Sequence, residues 1–142
     1  MIKKIKFLLT CGLILSLFLT LSCDDDSEDG DLEISGSWTE DYGNTTISND
    51  QFLAPLGLSN IVEYNNSNNT FYFQMSEDDL YSPNKFGRVV WTEIEDDSFY
   101  YCTIVYGKDT LAEAKADMTT ADETDPASGG CGGFPWSQAS KE

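Results

Sequence analysis

The sequence predicts a mainly β fold: a small antiparallel meander or barrel-like sheet, with one short helix and a glycine-rich tail near the C-terminal end. Three observations predict it. Short runs of β-branched and aromatic residues alternate with polar ones. They are separated by Gly-, Asn- and Asp-rich turn signals. One capping box, Thr110-Leu111-Ala112-Glu113, marks the start of a single helix.

In chain order, Trp38, Glu40 and Tyr42 alternate with Ser37, Thr39 and Asp41, and Gly43-Asn44 reads as a two-residue turn into Thr45-Thr46-Ile47. A second hairpin pairs Ile61-Val62-Glu63-Tyr64 with Phe71-Tyr72-Phe73-Gln74-Met75 across the polar run 65–69. Tyr81-Ser82-Pro83-Asn84-Lys85 contains a proline, which cannot donate to a strand ladder, and reads as a turn. A third hairpin runs from Arg88–Glu95 to Phe99–Tyr106 across Asp96-Asp97-Ser98. The helix is expected over 110–118, with Leu111, Ala114 and Met118 on the stripe that meets the sheet. Four glycines surround Cys131, and Phe134 and Trp136 beyond them are expected to plug an apolar edge or barrel mouth.

Charge is divided unevenly. Three of the eight basic residues, Lys3, Lys4 and Lys6, lie within the first six positions, and the segment from Cys23 onward carries all 25 acidic residues against five basic ones, a net charge of −20. That field repels phosphate backbones, so nucleic acid is excluded as a partner. The chain has no histidine, which removes imidazole bases, His-ligated zinc and the common nucleophile–base arrangements. No cofactor signature is present.

Residues 1–22 have the order of an export signal: a lysine-rich start, then an apolar stretch of 13 residues from Phe7 to Leu19, then Leu21-Ser22 ahead of Cys23. That stretch suits a signal h-region and falls short of the ~20 residues that span a bilayer. The small residue before Cys23 resembles the lipobox of bacterial lipoproteins, in which the cysteine becomes the acylated first residue of the mature protein. Thr20 departs from that pattern, since the family prefers leucine there. The resemblance implies lipidation at Cys23, a membrane as partner through the lipid anchor, and an outer-membrane or cell-surface address.

Asp24, Asp25, Asp26, Glu28, Asp29 and Asp31 follow, and 23–33 reads as the lipidated cysteine plus an extended acidic tether. Acidic residues at this point also resemble the surface-export tether of Bacteroidota lipoproteins. An EF-hand register from Asp25 fails, because its twelfth position is Gly36 where a bidentate glutamate is needed. The single β-rich domain then spans 34–138.

With Cys11 removed in the signal and Cys23 lipidated, Cys102 and Cys131 remain, and in an oxidising compartment their simplest state is a disulfide. Free thiols and a two-thiolate metal site are the alternatives.

Gly36-Ser37-Trp38 resembles the Gly-x-Trp of lipocalins and related small barrels, where the tryptophan closes one end. That resemblance offers Arg88 as a cation to stack on a tryptophan. The length is short for eight strands, so a six-stranded barrel or a curved sheet backed by the helix is expected. The function expected is a non-enzymatic binding or structural module, taking a small apolar ligand, a glycan or an envelope protein. Trp38, Trp91 and Tyr101 are the candidate ligand-facing aromatics, and no residue is assigned to catalysis or metal. Two alternatives are kept: a carboxylate-based glycan hydrolase using two of Glu63, Glu77, Glu93 and Glu95, and a calcium-stabilised adhesion module.

Overall fold

The computed structural model describes residues 30–55 and 57–141; the signal segment, Cys11, Cys23 and the acidic run up to Asp29 lie outside them. The chain forms a closed up-and-down barrel of eight antiparallel strands in sequence order. These are β1 (Gly36–Glu40), β2 (Gly43–Ile47), β3 (Gln51–Ala54), β4 (Gly57–Asn65), β5 (Thr70–Met75), β6 (Phe86–Trp91), β7 (Ser98–Lys108) and β8 (Ser137–Ser140). A helix, α1 (Leu111–Ala116), follows β7. β1 closes the ring against β8 through Thr39 and Ser140.

The strand count corrects the six-strand expectation, and the reason is economy. Four of the strands are only four or five residues long, and β1 meets β2 across the two residues Asp41-Tyr42. That turn also corrects the one expected at Gly43-Asn44: Glu40 faces Gly43 and Trp38 faces Thr45, which puts Gly43 inside β2. The third hairpin closes where expected, on Asp96 and Asp97, both in the left-handed region with φ of 49° and 58°. β3 and β8 were not among the strands read from the sequence.

An eight-stranded barrel has an interior just wide enough for side chains to fill. Trp38, Phe71, Trp91 and Phe99 fill it here, all essentially inaccessible to solvent. Phe99 meets Trp38 edge-on at 4.7 Å, and Phe52 meets Phe71 at 5.3 Å and Tyr101 at 5.8 Å. Gly87 makes room for Phe73: a Cβ there would lie 2.3 Å from the ring. Ring pairs of this kind contribute about 0.5–1.5 kcal/mol each beyond area burial.

The two ends of the barrel differ. At one, Leu32 and Ile34 from the entering segment are buried across the lumen. Both inner tryptophans hold that segment: Trp38 Nε1 donates to the Ile34 carbonyl at 2.9 Å, and Trp91 Nε1 donates to Glu33 at 2.6 Å. Asn49, Tyr64 and Asn66 add bonds to residues 30–33. The opposite end is ringed by the β1–β2, β3–β4 and β5–β6 connections.

The long connection from β7 to β8 wraps the outer wall. Its helix has the expected capping box, with the Thr110 hydroxyl accepting from the Glu113 amide and the Glu113 carboxylate accepting from the Thr110 amide. The helix ends at Ala116, two residues before the predicted limit, and the Asp117 backbone is extended. Ala114 is buried, but Met118 is 85% exposed, because the extended backbone turns it off the stripe. Beyond the helix, Cys102 and Cys131 form a disulfide that ties this connection to the outer face of β7. Trp136 is buried, but beside Gly130 of the tail and outside the barrel's core cluster; Phe134 lies 72% exposed at the tip of the Cys131–Phe134 turn, so neither plugs the lumen.

Candidate functional site

Trp38, Trp91 and Tyr101, the aromatics proposed from the sequence, all point into the lumen and are packed against other rings. Trp38 and Trp91 belong to the closed half, where they hold the entering segment. A lysine covers Trp38: Lys141 Nζ sits 5.1 Å from the ring centroid. Arg88 lies elsewhere, which corrects its expected stacking role. It faces outward and donates to the carbonyl oxygens of Asp117 and Thr119, tying the segment after α1 to the wall. Its Nε is buried and has no hydrogen-bond partner among the described residues.

Tyr101 lies towards the open end and belongs to a polar cluster that sequence reasoning missed. Its hydroxyl donates to Glu40, with the two carboxylate oxygens at 2.9 and 3.0 Å. Thr45, fully buried, also donates to Glu40. Strand period places these groups together, since Glu40 follows Trp38 by two residues and shares its inward face, while Thr45 is the cross-strand partner of Trp38. Burial, then the charge and hydrogen bond of Glu40, push the Tyr101 hydroxyl well above its ordinary pKa of 10.0. The phenol therefore stays protonated and donates throughout the physiological range. Ser137, paired with Tyr101 across β8, completes the set.

The lumen is open above this cluster. Thr103 is the register partner of the inward-facing Val89, and Ser137 that of Tyr101, yet both are exposed to solvent. Tyr106, 6.5 Å from the Phe73 ring, is half-exposed, and Tyr42 and Tyr81 stand on the rim at 91% and 90% exposure.

A second concavity lies outside the barrel, between the β4–β6 wall and the segment after α1. It has a volume of about 540 Å³ and is lined by Glu63, Tyr64, Tyr72, Arg88, Lys115 and Met118, among others. Lys115 pairs with Glu63 at 2.6 Å, and Lys108 pairs with Asp117 at 2.7 Å. The Lys108 bond, helped by Thr119, holds the Asp117 carboxyl well below the usual range.

Of the four glutamates considered for hydrolysis, Glu63 belongs to this outer wall, and Glu77 lies in the β5–β6 connection. Glu93 and Glu95 line a cleft beside the β6–β7 hairpin together with Glu123. Among the described residues, no group of three or more Cys, Asp or Glu is arranged to hold a metal, and no helix is long and apolar enough to cross a membrane.

Comparison with protein-family models, with curated proteins and with solved structures finds no match to this chain.

Proposed function

We propose that this chain is an exported bacterial lipoprotein, held to a membrane through Cys23, whose barrel serves as a non-enzymatic binding module displayed away from the anchor. The lysine-rich start, the short apolar stretch and the serine before Cys23 support the anchor. The observation that carries the display is the polarity of the barrel. The segment nearest the tether enters at the closed end, bonded by both inner tryptophans, and the open end with its exposed tyrosines lies opposite. A small apolar ligand, a glycan and another envelope protein are the classes of occupant this reading admits.

Labelled-palmitate incorporation tests the anchor. The wild-type chain takes up label and Cys23→Ala does not; continued labelling of that variant would overturn the reading.

A further inference from the structure

We infer that the open end of the barrel is a binding site for an organic monocation, an alkylammonium or guanidinium group that docks against the Glu40 carboxylate. The inference deepens the binding-module reading and rests on it.

Glu40 is an ionisable group facing the lumen, and among the described residues no cation pairs with it. Tyr101 and Thr45 fix its orientation by donating to it, but hydroxyl donors do not neutralise the charge. The basic residues of the described chain are committed elsewhere: Lys85 to Asp109, Lys108 to Asp117, Lys115 to Glu63 and Lys141 to Asp97. Arg88 is held by two carbonyls on the outer wall. Among the described residues none pairs with Glu40, which leaves the carboxylate available to a cation from outside.

The surroundings select the kind of cation. Phe52 lies against Tyr101, the donor to Glu40, and the half-exposed Tyr106 lies against Phe73, so this part of the lumen wall is built of aromatic rings. Aromatic faces attract ammonium and guanidinium groups, the more so where water is partly excluded. A calcium-like ion wants six or more oxygens. Here one carboxylate is offered, and the hydroxyls beside it already spend their protons on it. A singly charged organic cation instead needs one carboxylate and an apolar wall. The net charge of −20 from Cys23 onward adds attraction at longer range.

Isothermal titration of the full chain in detergent micelles tests this, with n-butylammonium and arginine methyl ester as probes. The expected result is one saturable site, weakened about tenfold or more in Glu40→Gln and unchanged in Glu63→Gln, which alters the outer wall. Glu40→Gln keeps an acceptor for Tyr101 and Thr45; should it nonetheless unfold, Thr103→Trp, which blocks the mouth from an exposed position, abolishes binding in its place. Equal affinity in folded wild type and folded Glu40→Gln overturns the inference, as does equally tight binding of n-butanol or displacement of the probes by stoichiometric calcium. Saturable uptake of the neutral dye Nile red without any amine binding overturns the cation while leaving the binding module standing.

Discussion

Glu40 shows how much a single residue's place in a strand decides. Two positions after Trp38 it must face inward, and it faces inward where the lumen ceases to be filled by rings. There it accepts hydrogen bonds from the hydroxyls of Thr45 and Tyr101. The phenol is affected in turn: its pKa in the folded state is raised by burial and then by Glu40. The unfolded chain releases that proton near the ordinary 10.0, whereas the folded chain retains it. The contribution of Tyr101 to stability is thus fully present below about pH 10 and is lost as pH rises beyond it. Denaturant midpoints measured from pH 8 to 11.5 are expected to fall above pH 10, and Tyr101→Phe should flatten that alkaline slope. In the same interval the difference in tyrosinate absorbance between wild type and Tyr101→Phe should show that Tyr101 keeps its proton while the barrel stays folded. The alternation that carries Glu40 inward was legible in the sequence. What it meets there was not, because Tyr101 lies 61 residues away and reaches it only by closure of the ring.

Among the elements, those that stand on their own residues were the legible ones. The β4–β5 and β6–β7 hairpins have dense apolar patterns and unambiguous turns, and α1 announces itself by its capping box. β3 and β8 carry little pattern of their own. Ser137–Ser140 contains one apolar residue, Ala139, and is a strand because β7 and β1 flank it. Its partner segment reaches that slot through the long outer connection, which the Cys102–Cys131 disulfide spans with a sequence separation of 29. A loop of this size gives a crosslink worth about 3–4 kcal/mol on the chain-entropy model. The Thr110 cap is worth about 1 kcal/mol. Chemical denaturation should therefore rank Cys102→Ala/Cys131→Ala as clearly less stable than Thr110→Ala. The double-cysteine variant should also expose the 137–140 edge to hydrogen exchange, while Thr110→Ala leaves that edge protected. Equal protection of 137–140 in both variants would show that β8 is held by its ladders alone.

At the scale of the molecule, the two ends of the barrel are built differently. The closed end gathers the entering segment, the β2–β3 and β4–β5 turns and the last residue of β8, and Lys141 caps Trp38 there. The open end gathers the β1–β2, β3–β4 and β5–β6 connections, with Tyr42, Leu80 and Tyr81 all about nine-tenths exposed. Between Cys23 and Gly30 lie seven steps of chain, which extend to at most ~25 Å. An anchor at Cys23 would thus keep the closed end close to the lipid surface. The expected consequence is an orientation. In lipid vesicles, a fluorophore on Asp50→Cys at the closed end should be quenched more strongly by a headgroup-bound quencher than one on Tyr42→Cys at the open end. A chain carrying Cys23→Ala should lose the difference along with its membrane attachment. Inserting a long Gly/Ser stretch after Asp26 should reduce the difference while attachment persists, because a flexible linker relaxes orientation without weakening the anchor. Equal quenching at both positions with the tether intact would mean that the open end is not held away from the membrane, whatever the lipid does.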